Sequence, residues 1–252
     1  MTLFSANLGF LWTGIPLPQA IRAAARAGFD AVECHWPYEV PVAEVAAALD
    51  ETGLPMLALN TRRGGDGEFG LAALPGRATE ARDEIARAVD YAARIGAKQV
   101  HVMAGRAEGD AARAGFLENL GFACDLAAPA GIGILIEPLN RWDAPGYFLK
   151  DSAQAAGIVA ELAAENLSMM FDCYHVARTE GDVLARLEAV LPRVGHIQFA
   201  GVPARGRPDE GVLDHAALFA GIAALGWDRP LGAEYRPEGA TEDSLGWMRA
   251  LR

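Results

Sequence analysis

Eight short runs of apolar and β-favouring residues alternate with longer Ala-rich stretches along the chain. The runs are "LFSANL" (3–8), "AVECHW" (31–36), "PMLALN" (55–60), "QVHVMA" (99–104), "GILIEPL" (133–139), "LSMMFDCY" (167–174), "VGHIQFA" (194–200) and "PLGAEYR" (230–236). Their near-continuous apolar character is that of parallel strands covered on both faces. The stretches between them have helical periodicity. "PLPQAIRAAARAG" opens with prolines and stops at Gly28. Across residues 77–95, Ile85, Val89, Ala92 and Ile95 fall on one helical face. Eight β-then-α units predict an α/β fold of the (β/α)8 TIM-barrel class. An open doubly wound sheet would call for a Gly-rich phosphate turn after an early strand, and the sequence has none.

Composition narrows the picture without changing it. The chain has 252 residues, 52% hydrophobic and 22% charged, enough for one full core, and no composition shift marks a boundary. No segment reaches about 18 uninterrupted apolar residues, so no membrane partner is expected, and the N-terminus does not read as a secretory signal. Cys34, Cys124 and Cys173 are widely spaced and form no zinc pattern, which fits a reducing, cytoplasmic setting. A net charge of −11 argues against a nucleic-acid partner. An acidic protein that handles an anionic metabolite must still place positive charge in its site.

Candidate chemistry appears at the ends of the late strands. Glu137, Asp172, Gln198 and Glu234 each end or interrupt an apolar run, at intervals close to one βα unit. In a barrel such residues converge at the C-terminal face. Buried carboxylates packed together repel one another, and a divalent cation removes the conflict. Oxygen-only ligands favour one Mg2+ or Mn2+ over zinc. The alternative is four unrelated polar residues, each satisfied by a loop amide or an arginine.

The motifs "EPLN" (137–140), "FDCYH" (171–175), "GHIQFAGVPAR" (195–205) and "EYRP" (234–237) resemble the hydroxypyruvate isomerase family, within the xylose-isomerase-like TIM barrels. "WPY" (36–38), "GLAALPGR" (70–77) and "HVMAG" (101–105) extend the likeness, so residues 1–252 are expected to form one such barrel domain. The resemblance implies that Glu137, Asp172, Gln198 and Glu234 hold one divalent metal, with Glu137 and Glu234 as catalytic acid and base. It implies interconversion of hydroxypyruvate and tartronate semialdehyde, or of a similar short oxo-acid such as 2-oxo-tetronate, through an enediolate. His175 and Arg205 are the implied substrate contacts, the arginine because a guanidinium holds a carboxylate with two bonds.

Further residues are weaker candidates. His101 and Glu33 are expected at the barrel mouth, His101 as a substrate contact. Asp143 would orient a catalytic group or bind a terminal hydroxyl. Arg62 and Arg63 stand where some family members have prolines; they extend an anion subsite or simply solvate a loop. His35, His196 and His215 read as packing or surface residues. Trp12, Trp36 and Tyr147 read as apolar walls. Cys173 should point into the barrel–helix layer by strand alternation.

Two other activities fit the same fold. A ketose 3-epimerase would use the same glutamates, but usually has His where this chain has Gln198. An endonuclease-IV-like nuclease needs several metals and many histidines, and the chain has five. A non-catalytic sugar-acid binding module needs no facing glutamates. The expected partner is therefore a small oxo-acid or ketose, and self-association is compatible with the sequence.

Overall fold

The computed structural model describes residues 2–252. Eight parallel strands run β1 (Phe4–Asn7), β2 (Ala31–Glu33), β3 (Ala58–Asn60), β4 (Gln99–His101), β5 (Gly133–Ile136), β6 (Leu167–Asp172), β7 (Val194–Phe199) and β8 (Leu231–Ala233). They hydrogen-bond in the order β2-β1-β8-β7-β6-β5-β4-β3. A Val32–Met56 bridge brings β2 against β3 and nearly closes the ring, with Leu57 N–H donating to the Val32 carbonyl at 2.7 Å. The expected TIM barrel is the fold.

The helices surround the ring: α1 (Leu17–Ala27), α2 (Val42–Thr52), α3 (Ala78–Ile95), α4 (Gly109–Ala127), α5 (Ser152–Leu162), α6 (Cys173–Thr179), α7 (Val183–Val190), α8 (His215–Ala224) and α9 (Trp247–Leu251). α3 buries Ala81, Ile85, Ala88, Val89, Ala92 and Ile95, the face predicted from its spacing. α1 ends at Gly28, whose φ of 86° is left-handed, a conformation that costs a residue with Cβ. Most of the core lies between barrel and helices. Inside the ring, Ala58, Leu135 and Met170 form a small apolar plug.

Two expectations need correction. The strands are three to six residues long, shorter than the apolar runs that predicted them. Residues just beyond them, such as Cys34, Val102 and Met103, stay buried in the mouth. Hydropathy reports that burial, not where strand pairing stops. The sixth run also ends as a helix. Cys173 and Tyr174 open α6, and the Asp172 side chain caps it by accepting from the Tyr174 N–H at 2.8 Å. Cys173 is fully buried in the barrel–helix layer, as expected, but helix geometry rather than strand alternation sends it there.

Candidate active site

The C-terminal rim of the barrel collects the polar residues. Asp172 and Gln198 are register partners on β6 and β7, and Gln198 faces Gly232 on β8. Glu137 and Glu234 are the first residues past β5 and β8. All four are buried, from 1% exposed at Asp172 to 6% at each glutamate. Above them lies a cavity of about 90 Å³, lined among others by Glu137, Glu234, His101, His175, Arg205 and Arg63.

The carboxylates differ sharply in their surroundings. Glu137 Oε1 has no hydrogen-bond partner. Burial, with Glu234 and Asp172 nearby, holds the Glu137 carboxyl well above the usual range. Asp172 is pushed up to about 7 by burial, against the pull of Arg205. Glu234 goes the other way. Burial would raise it, but Arg205 and His35 together bring it down. Its Oε1 accepts from Asn7 Nδ2 and meets His35 Nε2, both at 3.1 Å, and its Oε2 accepts from Arg205 at 2.5 Å. Arg205 also reaches Asp172 Oδ2 at 3.5 Å and lies over the rings of Phe10 and Tyr174. Its backbone φ of 58° is left-handed, an uncommon conformation for arginine, and its carbonyl accepts from the Arg236 N–H, past β8, at 2.7 Å.

Two buried histidines stay neutral. Burial lowers His101 to about 4, and burial with Arg205 lowers His175 to about 3. The Asn140 backbone N–H donates to His175 Nδ1 at 3.0 Å. In a neutral ring that leaves the proton on Nε2. His175 Nε2–H is thus a donor with no close acceptor, 3.5 Å from Asp172 Oδ2 and 3.8 Å from Glu137 Oε1. Both His101 nitrogens lack partners, with Nδ1 3.6 Å from Glu137 Oε2.

This chemistry fits a divalent cation. Three buried carboxylates share one buried arginine, and unpartnered polar atoms are costly in a dry site. Single ligand atoms of Glu137, Asp172 and His175 lie within 4.8 Å of one another. The tautomer described above makes His175 a hydrogen-bond donor rather than a ligand. Gln198 offers an oxygen in its place. Its Nε2 donates to Glu33 Oε2 at 3.0 Å, while its Oε1 has no partner. Glu33, buried at 2% exposure, is in turn fixed by His196 Nε2 at 2.9 Å.

The remaining candidates sort by contact. Asp143 lines the cavity and accepts from Asn140 Nδ2 at 3.0 Å and the Tyr174 hydroxyl at 2.9 Å. Arg62 pairs with Glu39, away from the cavity. Trp36 is a wall of the site, whereas Tyr147 is buried structure whose hydroxyl accepts from the Ala104 N–H. Trp12 lines a neighbouring open groove. His215 is a buried packing residue, as expected, whereas the buried His196 is the partner that fixes Glu33. His35 is not a packing residue. It lines the cavity and touches Glu234, and a Cβ on Gly9 would lie 2.2 Å from its ring. Its alternation with Glu33 in the run "AVECHW" was the available signal. Asn7, Phe10 and Phe69 also escaped notice, because early strand ends and aromatic loop residues look like ordinary packing.

Known proteins share this architecture along its length. The family described as xylose isomerase-like TIM barrel matches residues 21–251. A 2-oxo-tetronate isomerase of Cupriavidus necator is 45% identical over 99% of this chain and 98% of its own. The hydroxypyruvate isomerase of Escherichia coli is 33% identical over the whole of both chains. A solved structure, titled AP endonuclease, family 2, from Brucella melitensis, superposes with a TM-score of 0.95 over the full length of both chains at 36% identity.

Proposed function

The chain belongs to the xylose isomerase-like TIM barrel family, and on that premise we propose that it interconverts a short 2-oxo acid, hydroxypyruvate or 2-oxo-tetronate, and its 3-oxo isomer. That the chain is an isomerase rests on full-length relatives bearing that name. The observation that carries the finer reading is the glutamate pair. Glu137 and Glu234 approach one small cavity from β5 and β8 with opposite proton affinities. Groups whose surroundings push them apart in this way divide acid and base work between them.

Glu137, Asp172, Gln198 through Oε1, and Glu234 would hold one divalent cation, Mg2+ or Mn2+. When bound, such an ion polarises the substrate carbonyl and makes the adjacent C–H more acidic. The chain's own residues do the rest. One glutamate takes the proton from the hydroxyl-bearing carbon, and the pair returns a proton to the neighbouring carbon. His175 Nε2–H donates to a substrate oxygen, and neutral His101 contributes a second polar contact. Arg205 keeps Glu234 ionised.

The test is turnover of hydroxypyruvate and 2-oxo-tetronate in D2O, followed by NMR, before and after EDTA and after adding back Mn2+ or Mg2+. Deuterium should enter at the carbon that receives the proton, activity should vanish with EDTA, and either ion should restore it. No turnover of either acid, or full activity in a rigorously metal-free preparation, would overturn the reading.

A further inference from the structure

The substrate of this reading is an anion, yet the buried cation of the site is already committed. Arg205 meets Glu234, Asp172 and Asp143. A second cation stands at the same cavity. Arg63, in the loop after β3, lines it on the side of Trp36 and Phe69. Its guanidinium carbon lies 4.2 Å from the Phe69 ring centroid and 5.0 Å from that of Trp36. Among the described residues that guanidinium has neither an ion pair nor a hydrogen bond, unlike its neighbours Arg62 and Arg77, which pair with Glu39 and with Glu68 and Glu80. Arg106, in the loop after β4, lies 4.6 Å from the same Phe69 ring and is likewise without an acidic partner among the described residues.

Two guanidinium groups on one ring repel each other, and an ordinary loop would place a carboxylate beside them. Glu68 is adjacent in sequence, but it is turned to Arg77 and the Gly65 N–H. The rings hold Arg63 in place through its flat face, which leaves its N–H fork free at the edge. Such a fork matches a carboxylate with two parallel bonds.

We propose that Arg63, held by Phe69 and Trp36 and backed by Arg106, is the residue that binds the carboxylate of the 2-oxo-acid substrate and so selects acids over uncharged ketoses. This rests on the oxo-acid reading above. Arg205 then serves Glu234 and Asp172 rather than the substrate.

The experiment uses the metal-loaded enzyme and three variants, Arg63→Met, Arg106→Met and Arg62→Met. Methionine keeps an apolar stem against the rings and removes the charge. For hydroxypyruvate, Arg63→Met should raise KM about 10- to 100-fold and leave kcat within about threefold, as expected for a contact equal in ground and transition states. Glycerate, which has the same carbon skeleton but no carbonyl to isomerise, should lose the same factor in Kd by calorimetry. Inhibition by dihydroxyacetone, which carries a hydroxymethyl group where hydroxypyruvate carries its carboxylate, should change less than about twofold. Arg106→Met should have a smaller effect of the same kind, and Arg62→Met none. Thermal melts of all three variants should match the parent.

The outcomes separate. If the parent enzyme neither turns over nor binds any 2-oxo acid, the oxo-acid reading falls and this inference with it. If the parent works and Arg63→Met leaves KM and glycerate affinity unchanged, or weakens dihydroxyacetone equally, only the role of Arg63 is overturned.

Discussion

Glu137 and Glu234 have the same side chain and the same 6% exposure, yet one holds its proton tightly and the other does not. The difference lies in the neighbours: Arg205 and His35 outweigh burial at Glu234, whereas Glu137 is buried beside two other carboxylates. Glu234 has three polar partners, and Glu137 has an orphan oxygen. Replacing either by Gln keeps size and one ligand oxygen but removes proton transfer. Each change should cost about 10²- to 10⁴-fold in kcat with folding intact. The double variant should lose little more, because the pair acts as a unit on one substrate. Steady-state kinetics with circular dichroism checks this, and near-parental turnover in both single variants would reduce the glutamates to ligands. The sequence made these two residues visible because a carboxylate ending an apolar run is physically conspicuous. Asn7 and His35, which both contact Glu234 Oε1, were hidden. A neutral polar residue at an early strand end costs little, and a histidine there reads as packing until the chain brings residue 234 to residues 7 and 35.

Strand β8 shows how an element prepares a site. Gly232 lies among the groups that orient Gln198. A Cβ at that position would come within 2.2 Å of Glu33 Oε1, 2.8 Å of Gln198 Cγ and 2.9 Å of His196 Nε2. The glycine is what lets the Glu33–Gln198–His196 network occupy the barrel interior. Gly232→Ala should therefore destabilise the protein by about 1–3 kcal/mol through overpacking, and should weaken metal binding by displacing the Gln198 amide. Gly115 in α4 is the opposite case, with open space where its Cβ would be. Gly115→Ala should raise stability by about 0.5–1 kcal/mol through helix propensity. Urea melts of the two variants, with metal titration of the first, measure both. Helix ends were legible at this scale, because Gly28 and the α3 stripe act through local geometry. Strand ends were not, since the mouth stays buried after pairing stops. The turn into α6 was also hidden, because Asp172 is at once the end of an apolar run and a helix cap.

The whole barrel carries a charge of −11, and at its centre Glu137, Asp172 and Glu234 share a single arginine. Burial among like charges raises the proton affinity of Glu137 and Asp172. Asp172 rises from 3.8 in the unfolded chain to about 7 in the fold. Its proton therefore stabilises the fold fully below the lower value, and that contribution is lost as pH rises through the upper one. His101 acts oppositely. It falls from 6.5 to about 4, so its burial costs stability as the pH drops across that interval. Between about pH 4 and 6.5 the Asp172 slope opposes those of His101 and His175, and above that range only the carboxylate slope remains. A divalent cation must displace the proton on Asp172, so its affinity rises with pH up to neutrality. The melting temperature should accordingly respond to Mn2+ in a pH-dependent way. At about 100 times Kd the ion adds about 2.7 kcal/mol, which for a chain of this size is a rise of roughly 5–11 °C. The rise should be full near pH 7.5 and much reduced near pH 5.5. Asp172→Asn keeps the α6 cap but removes the charge, and should abolish most of the shift at both pH values. Differential scanning fluorimetry across a Mn2+ and pH grid reads all of this without any substrate. A shift of equal size at both pH values, or one that survives in Asp172→Asn, would place the ion elsewhere on the acidic surface and leave the buried carboxylates to Arg205 and their own protons.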